Sequence, residues 1–177
     1  STLWGSQAIG GVVNIVTAEP TTPFTSSLSA EAGARKTGYL RGAVGGASDK
    51  VTWRVAGGYY TTDGFSSYKL GQEKDGYQNA GASGRLRVKL SDAVSVETRA
   101  VYSRGKNDFD GFNTDSPEFG RTKELVVYQG LNAALLDGRW NNRFGFAYTD
   151  TDRQNYNPAR AVVPMTFDAA GKNKRWE

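Results

Sequence analysis

The sequence predicts an all-β protein: a partial antiparallel transmembrane β-barrel, about seven to eight strands of a larger one. Three observations carry that expectation. Apolar and polar residues alternate over many short stretches, and the apolar faces begin or end in Trp or Tyr. The opposite faces carry charge. Tight connections alternate with long polar ones.

From about residue 26 the alternation recurs, and it is read as strands over 26–35, 38–48, 50–62, 77–91, 93–105, 123–137 and 139–151, with an eighth starting near 171. In the third, Val51, Trp53, Val55, Gly57 and Tyr59 share one face, because successive strand side chains point to opposite sides. In the fourth, Ala82, Gly84, Leu86, Val88 and Leu90 oppose Ser83, Arg85, Arg87 and Lys89. Three cations on one strand face do not fit a dry protein core. They fit a wet lumen, with the leucines turned towards lipid. The fifth sets Val94, Val96, Thr98, Ala100 and Tyr102 against Ser95, Glu97, Arg99, Val101 and Ser103. The sixth has a fitting lipid face in Leu125, Val127, Leu131, Ala133 and Leu135, but Val126, Tyr128 and Leu136 on its other side are nearly as apolar. The seventh places Trp140, Phe144, Phe146 and Tyr148 together. Aromatic ends of this kind resemble the girdles of outer-membrane barrels.

The joins at Asp49-Lys50, Ser91-Asp92 and Asp137-Gly138 have tight-turn chemistry, whereas 63–76, 106–122 and 152–170 read as long loops. The brief Lys36-Thr37 join opens the series. A soluble sandwich has no reason to sort its loops by length onto one end; a barrel with short periplasmic turns and long extracellular loops does.

Composition narrows the function. The 177 residues contain no His and no Cys, which removes the commonest general base, the commonest transition-metal ligand and any thiolate chemistry. An enzyme is therefore not expected. The net charge of +4 comes from 22 Lys/Arg and 18 Asp/Glu that are interspersed, without the basic block that nucleic-acid binding would call for. No apolar run approaches the ~18 residues of a membrane-spanning helix. Gly33-Ala34-Arg35-Lys36-Thr37 lacks the first glycine of a phosphate loop and a following helix.

The opening string is different. Leu3-Trp4-Gly5-Ser6-Gln7-Ala8-Ile9-Gly10-Gly11-Val12-Val13-Asn14-Ile15 resembles the closing segment of the plug domain in TonB-dependent outer-membrane receptors. Further on, Asp63-Gly64-Phe65, Lys74-Asp75-Gly76-Tyr77, Tyr102-Ser103-Arg104, Asp108-Phe109-Asp110-Gly111-Phe112 and Tyr148-Thr149-Asp150-Thr151-Asp152-Arg153 resemble the cobalamin-receptor branch in order and spacing. The resemblance implies residues 1–24 as the C-terminal end of a plug and 25–177 as the N-terminal part of a barrel of about 22 strands. It also implies an internal piece, with the TonB-contacting box before it and the remaining strands after it.

Expectations for the site follow from that branch, in which acidic loop residues bind calcium over the substrate. Glu73, Asp75, Asp110 and Asp115 are the implied metal ligands, and Asp108, Phe109 and Phe112 the implied substrate contacts. Calcium takes six to eight oxygens from carboxylates, carbonyls and water. Where the branch carries a further ligand Asp, this chain has Gly120. The implied parent protein sits in the outer membrane of a Gram-negative bacterium and takes up cobalamin or a related corrinoid. Its implied partners are the TonB energy-transducing complex, the lipid bilayer with its lipopolysaccharide, and the corrinoid or metal-chelate ligand. A siderophore or haem receptor shares the plug string. An enzyme or adhesin barrel, or a soluble β-sheet binding module, would share the alternation but not that string.

Overall fold

A computed structural model describes residues 19–177. Eight strands make one antiparallel sheet in chain order: β1 (Thr25–Gly33), β2 (Thr37–Ala47), β3 (Val51–Thr62), β4 (Tyr77–Lys89), β5 (Val94–Gly111), β6 (Thr114–Leu135), β7 (Trp140–Tyr156) and β8 (Met165–Trp176). Every strand pairs with its successor, so each connection is a hairpin and none crosses the sheet. The all-β class and the antiparallel order are as the alternation predicts. Among the described residues no helix is long and apolar enough to cross a membrane. The string Leu3 to Ile15 lies outside the described residues.

Turn chemistry sets the tight joins. Arg35 and Lys36 both take positive φ (57° and 52°), the backbone twist a short hairpin needs, and Leu136, Asp137 and Gly138 do the same at the β6–β7 turn. Joins 48–50, 90–93 and 136–139 lie at one end of the sheet; 34–36, 63–76, 112–113 and 157–164 lie at the other. The expected asymmetry is present in part, carried by 63–76 and 157–164, with two corrections.

Residues 106–122 are not a loop. Most of them belong to β5 and β6, which run on to a turn at Phe112-Asn113, with Asn113 at a φ of 55°. Likewise β7 continues to Tyr156 and β8 begins at Met165 rather than near 171, shortening the last loop to 157–164. In both places the residues pair with the neighbouring strand although their polarity suggests a loop. Pro117 is tolerated in β6 because it sits beside the register irregularity between Phe109 and Gly111, beyond the last β7 partner.

The sheet has two chemically distinct faces. On one, Leu28, Leu40, Val55, Leu86, Leu131 and Phe144 stand open to the surroundings. Tyr59 and Tyr102 bound this band towards the long loops, and Trp140 marks its other end. From Trp140 to Tyr148 the strand climbs about 26 Å, or about 20 Å of depth after a barrel's usual tilt, close to the apolar band of an outer-membrane protein. Contiguous exposed apolar area of this size calls for a non-aqueous neighbour.

The other face is polar and internally paired. Arg54, Arg85 and Arg99 lie in register across β3, β4 and β5, with Thr52, Arg87 and Glu97 in the next row. Glu97 receives Arg85 at 2.7 Å, Arg87 at 3.2 Å and Arg99 at 2.6 Å. Ahead of β1, Glu19 takes Arg85 at 2.6 Å and Arg87 at 3.0 Å. The segment after it crosses β2 where Gly45 and Gly46 leave room, since a Cβ on Gly45 would lie 2.9 Å from the Pro20 ring. The Ala47 amide then donates to the Thr22 carbonyl at 2.8 Å. Arg85 and Arg87 of β4 therefore lie on the polar face and share two carboxylates, while Lys89 is in no ion pair among the described residues.

A sheet one layer thick has almost no interior. Among the described residues Ala43 is the buried apolar side chain and Glu97 the buried charged one. Glu97→Ala would leave three guanidinium groups crowded together. The expected loss is about 2 kcal/mol, below the range for a fully buried pair because the arginines are partly solvated. Urea unfolding of the complete protein in detergent measures it, and adding Arg99→Ala should cost less than the sum of the single changes. Among the described residues the outer edges of β1 and β8 have no partner strand, and one face is apolar. Light scattering in detergent-free buffer should find the isolated chain self-associated; a sharp monomer would contradict that.

Candidate functional site

The 63–76 loop folds against the projecting end of the β5–β6 hairpin. It leaves β3 through Gly64, whose φ of 65° turns the chain and whose missing Cβ admits the Asp75 carbonyl. At its base the Asp108 amide donates to the Gly76 carbonyl at 2.8 Å, extending the ladder past β4. Asp63 fixes the loop's other end. Its amide donates to the Arg35 carbonyl at 2.9 Å, and its carboxylate pairs with Lys74 at 3.0 Å and Lys36 at 3.3 Å. Hydrogen bonds from Lys74 and then Lys36 hold that carboxyl below its ordinary range.

Asp110 is the centre of the contact between loop and hairpin. Its Oδ2 accepts from the Tyr68 amide at 2.6 Å and from the Ser67 and Ser66 hydroxyls at 3.1 and 3.2 Å. Its Oδ1 accepts from the Ser116 amide at 3.0 Å. Burial opposes ionisation here, but the Ser116 and Tyr68 amides, together with the serine hydroxyls, outweigh it and hold the carboxyl well below the usual carboxylate range. Asp115 accepts from the Gln72 amide at 3.2 Å. Gly71 permits that approach, since a Cβ there would run into the Ser66 hydroxyl and crowd the Asp115 carboxylate.

Glu73, Asp110 and Asp115 each offer an oxygen within 4.8 Å of the other two. Burial, the hydrogen bond with Asp110 and the charges of Asp75, Asp110 and Asp115 push Glu73 up to about 7. Glu73 Oε1 and Asp75 Oδ1 are buried without a hydrogen-bond partner. A group of hard oxygen donors with excess negative charge and orphaned buried oxygens fits an oxygen-seeking cation.

Of the residues singled out from the sequence, Glu73, Asp110 and Asp115 thus come together. Asp75 stands beside them and accepts from the Ser67 amide and hydroxyl. Asp108 is drawn away to Lys106 at 2.7 Å. Phe109 is half-buried opposite Glu118, whereas Phe112 at the hairpin turn is 95% exposed. Gly120 is buried, and a Cβ there would lie 2.8 Å from Asn107 Oδ1 and 3.1 Å from Asn155 Oδ1, so an aspartate would have to displace both. Ser66, Ser67 and the Tyr68 amide were not anticipated. The Ser-Ser pair beside a loop glycine and aromatic is the one signal the sequence offers for them.

No protein-family model matches the chain. Over 158 residues, 88% of its length, it is 25% identical to the "Vitamin B12 transporter BtuB" of Photobacterium profundum, and that alignment covers 26% of the relative. The chain therefore spans about a quarter of the length of the relative it matches.

Proposed function

We propose that the chain is the plug end and first barrel strands of a TonB-dependent outer-membrane receptor that takes up cobalamin or a related corrinoid. The similarity to a vitamin B12 transporter over 88% of the chain carries this reading. The exposed apolar face bounded by aromatics, with the longer loops at one end, supports a membrane-spanning sheet. In this reading the loops capture ligand outside the cell. TonB then draws on the plug with energy from the inner membrane. The chain's part is positional rather than catalytic: it supplies a wall, a charged lumen face and two loops over the entrance. At the end of the β5–β6 hairpin, Phe109 in β5 and Phe112 at the turn present flat apolar area to a macrocycle, with Asp108 preceding them in β5.

Calcium would be held by Glu73, Asp110 and Asp115, with Asp75 as a nearby fourth carboxylate. Once bound, the ion supplies positive charge that binds the 63–76 loop to the β5–β6 hairpin. That charge offsets the repulsion among the carboxylates and gives the two orphaned oxygens an electrostatic partner.

Uptake of radiolabelled cobalamin by cells lacking the complete receptor should fall to the background of a TonB-deficient strain. Undiminished uptake, with loss of siderophore or haem use instead, would move the assignment to those ligands. Calorimetric titration of the complete receptor should detect calcium binding at millimolar levels or below. Protonation of Glu73 competes with the ion, so with its carboxyl near 7 the affinity at pH 6 should be about tenfold weaker than at pH 8. Glu73→Gln should flatten that pH dependence; no heat at millimolar calcium would remove the ion from the proposal. Without calcium the sign for loop packing reverses. The native carboxyl titrates above its ordinary 4.5, so its contribution is complete below that value and is lost as pH rises through about 7. Hydrogen exchange of residues 63–76, corrected for intrinsic rates, should show less protection at pH 8 than at pH 5, and calcium should restore it.

A further inference from the structure

Gln129 interrupts the apolar side of β6. It falls in the series Leu125, Val127, Leu131, Ala133 and Leu135, and by strand alternation it faces the same way. It is exposed there, opposite Thr98 of β5 on one side and Phe146 of β7 on the other. Leu86 and Trp53 continue the row beyond Thr98, and Trp176 continues it beyond Phe146, with those two rings 4.5 Å apart. Depth counts as well as facing. Thr98 lies four residues from Tyr102, and Phe146 six from Trp140, the aromatics at the two ends of the band. At about 3.3 Å per residue and a barrel's tilt, the amide stands roughly 10 Å in from one end and roughly 15 Å from the other, which is hydrocarbon depth.

At that depth no water serves the amide. The Thr98 hydroxyl donates to Gln129 Oε1 at 2.6 Å, which holds the side chain against β5 and keeps it from reaching out to the head groups. That bond uses neither of the amide's own hydrogens. Exchanging its oxygen and nitrogen would let Nε2 donate to Thr98 Oγ1, yet the second N–H would still be unpaired. An acyl chain offers no acceptor, so a donor left over in hydrocarbon calls for a polar group on another protein. The ground beside it is low. Gly84 and Ala100 are partners in the adjacent same-face row, and a Cβ on Gly84 would meet nothing within 4 Å. Small residues on a lipid-facing surface let a second backbone approach.

We infer that Gln129 is the centre of a lateral contact between two copies of the receptor within the membrane. An amide carries opposite partial charges at its two ends, so the group that complements it is a second amide turned the other way. In a twofold contact a residue on the axis meets its own copy. Each Nε2 then donates to the other copy's Oε1, which has a lone pair to spare beside the Thr98 bond. This assignment rests on the membrane-spanning reading above.

Energy transfer between donor- and acceptor-labelled copies of the complete receptor in liposomes tests it, with the dye on Lys50→Cys in the β2–β3 turn. Transfer should saturate as protein density rises, and Gln129→Leu should move its midpoint to about fivefold higher density or more. That variant places an apolar side chain on an apolar face and should fold. Thr98→Val removes the bond between strands but spares the amide, so its midpoint should not follow that of Gln129→Leu. Equal shifts in the two variants would overturn the contact, since the pair would then be only a tie within one sheet. An unshifted midpoint in Gln129→Leu, or transfer no greater than chance proximity at every density, would overturn it as well. In intact outer membranes, a lipid-soluble bismaleimide on Val127→Cys should give a product of twice the receptor's mass. Cross-links to a protein of another mass alone would overturn the second copy in favour of a different partner. A receptor that stays monodisperse without detergent and does not enter liposomes would fail the membrane reading itself, an outcome distinct from these.

Discussion

Main-chain hydrogen bonding is the constraint on which the other features of this sheet depend. Over the described residues there is one layer of strands with almost no buried side chains, so they are not held together as a soluble domain is, by apolar packing against a second layer. Their order comes from a ladder running unbroken from β1 to β8, with each strand paired to its sequence neighbour. In a non-aqueous medium that ladder is obligatory, because an unpaired amide or carbonyl has no water to turn to. The alternating faces, the tight turns and the chain-order topology all serve it. Side chains are then free to differ completely between the two surfaces: aliphatic and aromatic on one, an arginine–glutamate cluster on the other.

That division explains which parts were legible in the sequence. Where a strand has one apolar and one polar face its residues must alternate, and Val51 to Tyr59, Ala82 to Leu90 and Trp140 to Tyr148 announce themselves. Beyond the apolar band the two faces no longer differ in polarity and the pattern disappears. Lys106, Asp108 and Asp110 share a face with no apolar contrast behind them, and Asn107, Gly111, Asn113 and Pro117 carry loop chemistry. Cross-strand pairing with β6 overrides those local preferences, and single-residue patterns contain no information about a partner strand. The start of β8 at Met165 was hidden for the same reason.

The acidic site was legible in part. Glu73 is distant in the chain from Asp110 and Asp115, and only a resemblance could group the three beforehand; the fold does so because the loop returns to the hairpin. Asp75 and Asp108 carry the same functional group, but local partners redirect them, Ser67 in one case and Lys106 in the other. Spacing cannot reveal such diversions, since each depends on where one flexible side chain settles. The arginines of β4 were visible as cations sharing one strand face, yet their carboxylates, Glu97 and Glu19, come from the next strand and from ahead of the sheet.

The way Asp110 grips the 63–76 loop bears on how such a surface can change over generations. Two of its donors are main-chain amides, those of Tyr68 and Ser116, which every residue except proline supplies. The other two are the Ser66 and Ser67 hydroxyls, so the clamp reads the path of the backbone and asks for particular side chains at those two positions alone. Substitutions at the loop's outer positions can therefore accumulate, altering what the exposed surface recognises, while the anchorage beneath stays intact. One invariant carboxylate, with those two serines, would be enough to keep a diversifying loop in place.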